Sequence, residues 1–153
     1  MNRIIAFENR IKFSKKDEEI LKNLNYDLLI STIDFLKKYK KVKWSGQNRI
    51  KNGEVYSMTQ PLPIYPKELL NIVHIFHNED YYITEKIEIT SKKIFPSLMS
   101  PYEIYMLINI LYDRDRFFDG LFGSGVEDNM YLSALLRLKE LYQLYQNLSP
   151  EKY

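Results

Sequence analysis

The amino-acid sequence predicts a mainly α fold of α+β type. It should hold four or five helices, a small β-hairpin or two-stranded element in the middle, and a helical hairpin at the C-terminal end. Three observations predict this. Apolar residues recur at three- and four-residue spacing before residue 40 and again after residue 100. Capping signatures of the form Ser-x-x-acid stand ahead of those stretches, at Ser14/Asp17, Ser100/Glu103 and Ser124/Glu127. Between them the pattern changes to prolines and to β-branched and aromatic runs. The 153 residues favour one domain, 1–153, long enough to bury a core without a metal or disulfide staple.

Residues 1–13 are mixed and read as a short extended segment. Ser14-Lys15-Lys16-Asp17 opens a helix to about Leu24, with acids in its first turn where they suit the helix dipole. Asn25 and Asp27 restart it. Leu28, Leu29, Thr32, Ile33, Phe35, Leu36 and Tyr39 then give one buried stripe. Ser45-Gly46-Gln47-Asn48 and Lys51-Asn52-Gly53 carry turn chemistry, and Glu54–Met58 reads as a short strand.

Gln60-Pro61-Leu62-Pro63-Ile64-Tyr65-Pro66 should be a rigid loop, laid over the core by Leu62, Ile64 and Tyr65. Pro66 suits the first position of a helix that presents Leu69, Leu70, Val73 and Phe76 and ends near Asn78. Tyr81–Thr84 and Lys86–Thr90 suggest a hairpin, or a strand paired with 54–58. Ser100-Pro101-Tyr102-Glu103 is the strongest local signal: Ser caps, Pro takes the first helical position and Glu reaches back. Ile104, Leu107, Ile108 and Leu111 are the stripe of that helix. Gly120 is its left-handed stop, and Phe117 and Phe118 pin the turn into the core. A last helix from about Val126 to Asn147 buries Leu132, Leu135, Leu136, Leu138, Leu141 and Leu144.

Composition excludes several classes of function. With no Cys there is no disulfide, thiolate metal site or Cys nucleophile, which fits a cytoplasmic setting. No apolar run approaches the roughly 20 residues that span a bilayer, and Met1–Glu8 is too short in apolar residues for a signal peptide, so no membrane partner is expected. The net charge of +2 hides a split. Residues 1–53 hold 13 Lys/Arg and 6 Asp/Glu, a net +7, whereas residues 54–153 hold 9 and 14, a net −5. Such a split steers partners. Thirteen Tyr suit half-buried positions and contact surfaces.

Trp44 with Gly46, Pro61–Tyr65 before a helix, Arg114–Gly120, and Leu135-Leu136-Arg137-Leu138, in that order, resemble an uncharacterised bacterial domain family of low-GC bacteria and their mobile elements. The resemblance covers roughly residues 44–142. It implies no activity and supplies no catalytic residue.

Four constellations are candidates for chemistry. Arg114 and Arg116, with Asp113, Asp115 and Asp119, form a charged turn; Tyr112, Arg114, Arg116 and Asp119 are the candidate partner-binding residues. The plainer reading is that Arg near a helix end satisfies carbonyls and pairs with neighbouring acids. Lys37, Lys38, Lys40, Lys41 and Lys43, with Trp44, Arg49 and Lys51, offer phosphate contacts and a stacking ring. Against that, Lys at a helix C-terminus complements the dipole and Lys stems cover apolar surface.

His74 and His77 share a helix face and are weak metal candidates, plainly read as ordinary helix His; no metal and no cofactor are expected. Gly120–Gly125 precedes a helix but lacks the Gly-Lys-Ser/Thr ending of a phosphate loop. No Ser nucleophile elbow, nuclease-type acidic-x-Lys spacing or toxin-type Arg/His spacing is present.

The sequence therefore points to a non-enzymatic protein-binding module. One concrete form is a phage- or plasmid-borne inhibitor of a host defence nuclease, an anti-CRISPR-like protein whose Tyr- and acid-rich C-terminal half occupies a basic groove; this rests on analogy. The alternative is a nucleic-acid-binding protein using Lys37–Lys43.

Overall fold

The computed structural model describes residues 12–45, 49–51, 54–56, 61–76 and 96–148. It is mainly α, with six helices and two small antiparallel strand pairs among those residues. The helices are α1 (Lys15–Lys22), α2 (Tyr26–Lys38), α3 (Lys67–His74), α4 (Pro101–Arg114), α5 (Leu121–Glu127) and α6 (Met130–Leu148); a 3-10 turn, Pro96–Leu98, precedes α4. The strands are β1 (Lys43–Trp44), β2 (Arg49–Lys51), β3 (Glu54–Tyr56) and β4 (Pro63–Ile64). No helix among the described residues is long and apolar enough to cross a membrane.

α1 begins at the expected capping box: Ser14 Oγ accepts the Asp17 N–H, and the Asp17 carboxylate accepts the Ser14 N–H. Asn25 caps α2 by accepting the Leu28 N–H, and Leu29, Thr32, Ile33 and Leu36 are its buried stripe. The α1–α2 joint is tied to the end of α3 by a Leu24–Phe76 bridge and by the Asn25 N–H donating to the Ile75 carbonyl.

α4 is the centre, packing on α1, α3, α5 and α6. The stripe Ile104, Leu107, Ile108 and Leu111 is buried, and so are Tyr105, Met106 and Ile110. A helix buried on nearly every side sits inside a bundle rather than on its rim. Its N-terminus has no orphan donor in the first turn. Pro101 has no N–H, Tyr102 N–H donates to Asp17 Oδ1 at 3.0 Å, Glu103 N–H donates to Ser100 Oγ, and Ile104 N–H donates to the Ser100 carbonyl. One buried carboxylate, Asp17, thus serves the starts of both α1 and α4.

Several boundaries differ from expectation. Six helices replace four or five because the C-terminal hairpin is interrupted. α4 and α6 do pack together, but α5 stands between them in sequence. Gly120, at φ 90°, is the N-cap of α5, so Ser124 lies inside a helix and caps nothing. α6 begins at Met130, where Asp128 Oδ1 accepts the Met130 N–H and Asn129 adopts a positive φ. Leu135, Leu138 and Leu141 are buried as expected, Leu132 and Leu144 are half-buried, and Leu136 is exposed; Tyr131, Ala134 and Tyr145 complete the stripe.

Pro66 precedes α3 as its N-cap, and α3 stops at His74. Glu54–Tyr56 pairs with Arg49–Lys51. The two segments in 81–90 lie outside the described residues, as does most of the segment 1–13. Pro63–Ile64 is not a covering loop but a strand paired with Lys43–Trp44.

Candidate functional site

The β1–β4 pair and the residues around it form a limb that docks on α5. In its register Trp44 lies opposite Pro63, and Lys43 lies opposite Ile64. Opposed residues share a face, and alternate residues switch face. Val42 and Trp44 therefore turn inward while Lys41 and Lys43 turn outward, as does Ile64. Burial agrees: Val42 is buried, Lys41 and Lys43 are exposed, and Leu62 and Ile64 are half-open to solvent. Leu62 and Ile64 thus do not cover the core; Tyr65 does.

Tyr65 closes the limb onto the α4–α5 turn. Its hydroxyl donates to Asp115 Oδ1 at 2.7 Å and accepts the Gly123 N–H at 3.1 Å, and Asp115 Oδ1 also accepts the Phe122 N–H at 2.9 Å. Burial, and then the Asp115 hydrogen bond, push the Tyr65 phenol above its ordinary range. Tyr131, buried beside it and donating to the Phe122 carbonyl, is pushed up mainly by burial. Tyr39 is raised by burial and then by the Glu127 carboxylate. These phenols stay protonated at neutral pH. The cluster is a clasp. At the far end of α5, Glu127 Oε2 accepts the Val42 N–H at 3.0 Å, and Lys40 Nζ donates to Asn129 Oδ1 at 3.0 Å.

Two glycines permit this docking. A Cβ on Gly123 would meet Val42 Cγ2 at 2.8 Å and Tyr65 Cε1 at 2.9 Å. A Cβ on Gly120 would stand 2.6 Å from the Trp44 ring, at a backbone angle that already favours glycine. Trp44, read in the sequence with the basic stretch, therefore sits on the turn that carries the candidate partner-binding residues.

That turn corrects one structural expectation. Phe117 and Phe118 do not pin it into the core: they are 69% and 64% exposed. Their N–H groups both donate to the Arg114 carbonyl, so the turn is hydrogen-bonded while its rings face water. Trp44 is 41% and Tyr112 46% exposed, the latter packing its ring edge against Phe122. Arg116 pairs with Asp113 at 3.5 Å and lies over the Phe117 ring at 4.8 Å; Arg114 and Asp119 are exposed. The turn thus presents exposed rings with charges between them, and the Trp44 ring lies against its Gly120 end.

The other candidates do not gather. Lys37 stands 4.0 Å from Asp34, Lys38 is exposed on the last turn of α2, and Lys40 is engaged with Asn129, leaving Lys41 and Lys43 beside Trp44. The side chains of Arg49 and Lys51 lie outside the description, as does His77; His74 is exposed. Among the described residues no group of three His, Asp or Glu is placed to hold a metal. A shallow groove of about 190 Å³ between Lys12, Glu103 and Arg137 has mixed charge, and Arg137 already donates to the Met99 carbonyl.

Sequence reasoning missed the roles of Asp115, Tyr65, Phe117 and Phe118. No protein-family model, curated protein or solved structure matches the chain.

Proposed function

We propose that the protein is a non-enzymatic protein-binding module whose contact surface comprises Trp44, Tyr112, Phe117 and Phe118. One observation carries this: Phe117 and Phe118 are more than half exposed on a hydrogen-bonded turn, with Trp44 against the same turn. Contiguous exposed rings mark interaction sites, and Trp, Tyr and Arg dominate binding energy at protein interfaces. Arg114, Arg116 and Asp119 then form the charged rim. A cytoplasmic setting and membership of the mobile-element domain family belong to the same proposal.

The narrower role of nuclease inhibitor needs a strip of negative charge to fill a basic groove. The acids here alternate with Arg114 and Arg116, and Asp115 and Glu127 are engaged by hydrogen bonds. We therefore propose the module without that role. Nucleic-acid binding is the second reading, resting on Lys41 and Lys43 beside Trp44. It predicts salt-sensitive retention on single-stranded DNA or RNA that falls when both Lys are neutralised.

The test is capture of partners from the native host with wild-type protein and with the Phe117→Ser/Phe118→Ser variant, protein and nucleic acid both identified. A protein partner bound by the wild type and lost by a folded variant supports the proposal. A partner bound equally by both removes it.

A further inference from the structure

We infer that the β1–β4 limb is a releasable strap: Glu127 holds one of its two roots through the Val42 N–H, and letting that root go gives the Tyr39 hydroxyl the partner it otherwise lacks. The motion rests on the geometry alone. Its use, to move Trp44 within the contact surface, rests on the protein-binding reading above.

The two roots are held unequally. Val42 and Tyr65 flank the strand pair at one end, and both lie against Gly123. The Tyr65 root is fastened twice, to Asp115 Oδ1 and to the Gly123 N–H. The Val42 root has one backbone tie, its N–H donating to Glu127 Oε2 at 3.0 Å, and Glu127 is an exposed side chain at the end of α5. The neighbouring contact of Lys40 Nζ with Asn129 is exposed as well. Beyond the roots the two strands lean on each other more than on any helix; Lys43, Trp44 and Ile64 are exposed and Pro63 is half-buried. A segment with so few enclosed apolar contacts opens locally, without global unfolding. The buried Val42 side chain opposes that opening, so the closed limb predominates.

Tyr39 favours opening at the Val42 root in particular. It ends α2 and leaves it in extended conformation, three residues before Val42. Its hydroxyl oxygen is buried and has no hydrogen-bond partner among the described residues, whereas the phenols of Tyr65 and Tyr131 both have one. The Glu127 carboxylate is near enough to oppose ionisation of Tyr39. A buried donor without an acceptor is costly, and here the cost exists only while the limb is down. When Val42 leaves Glu127, a charged acceptor is freed beside that donor, and one hydrogen bond replaces another. The strand pair then pivots on Tyr65 and carries Trp44 off Gly120. Phe117 and Phe118 stay, because their N–H groups are bound to the Arg114 carbonyl. A partner thus meets two fixed rings and a movable third.

The test is amide hydrogen exchange by NMR on the full chain, for wild type, Tyr39→Phe and Glu127→Ala, with folding checked by circular dichroism and cooperative melting. In wild type the Val42 N–H should exchange faster than the Gly123 N–H, at a rate unchanged by low urea, the mark of local opening. Tyr39→Phe removes the orphaned donor and should slow Val42 exchange by about five- to a hundredfold. Glu127→Ala unties the root and should raise acrylamide quenching of Trp44.

Val42 exchange as slow as that of Gly123 would overturn the inference. So would a Tyr39→Phe variant whose Val42 exchange is unchanged or faster, since the hydroxyl is then already satisfied, or a Glu127→Ala variant with unaltered quenching. If the strap fails these tests while a host protein is still captured through Phe117 and Phe118, the protein-binding reading stands without it. If the strap passes and capture is indifferent to both Phe, the motion stands and the protein-binding reading falls.

Discussion

At the scale of single residues, the clasp decides how the limb is held. Tyr65 bridges Asp115 and the Gly123 N–H. Tyr65→Phe leaves that N–H without its acceptor and should cost about 1–2 kcal/mol in urea unfolding. The pH dependence has a definite sign. The native state favours the protonated phenol, so its folded pKa lies above the ordinary 10.0. Stability from this source is full below that value and is lost as pH rises beyond it. Urea melts above pH 10 should therefore show a falling midpoint, with a shallower fall in Tyr65→Phe, the remainder belonging to the raised Tyr131 and Tyr39. Little of this was legible in the sequence. Asp115 stands in a run of alternating acids and arginines that reads as solvated surface. Its partner is fifty residues away, and no local rule pairs them.

At the scale of elements, the helix starts were the most legible features. Ser14/Asp17 and Ser100/Glu103 act as read, because a capping box is made within four residues and owes nothing to the rest of the fold. Ser124/Glu127 has the same letters and fails, because Gly120 starts the helix four residues earlier with a backbone angle that other residues resist. The small β element expected in the middle is present as the Arg49–Lys51/Glu54–Tyr56 pair, but the β1–β4 pairing was illegible for the opposite reason: Lys43–Trp44 and Pro63–Ile64 are too short to carry a pattern. What no local signal disclosed is that Asp17 also serves Tyr102. Asp17→Ala strips two backbone N–H groups at two helix starts and should cost about 2–4 kcal/mol, measured by chemical denaturation. Asp17→Asn keeps one acceptor oxygen and should cost less.

At the scale of the whole molecule, inside and outside respond to truncation in opposite ways. Leu107, fully enclosed on α4, should cost about 2–5 kcal/mol as Leu107→Ala, because its neighbours on several helices cannot all close the cavity. Phe117→Ser/Phe118→Ser removes larger side chains, yet should stay within about 0.5 kcal/mol of wild type, since little of either ring is enclosed. Thermal melts of the two variants side by side check the contrast. The mainly α class and most of the core were legible because helical spacing repeats over many residues. The proposed contact surface was not, because it takes Trp44 from one segment and Tyr112, Phe117 and Phe118 from another, and each segment alone looks like an ordinary loop or helix end.

Trp44 is the only tryptophan in the chain, and it lies at the seam of limb and turn with 41% of its surface open. Its fluorescence is therefore an intrinsic reporter of what covers that seam. Shielding the indole from water should move its emission to shorter wavelength when the surface is occupied and back again on dilution. An emission maximum unmoved across the full concentration range of association would place the contact elsewhere on the molecule.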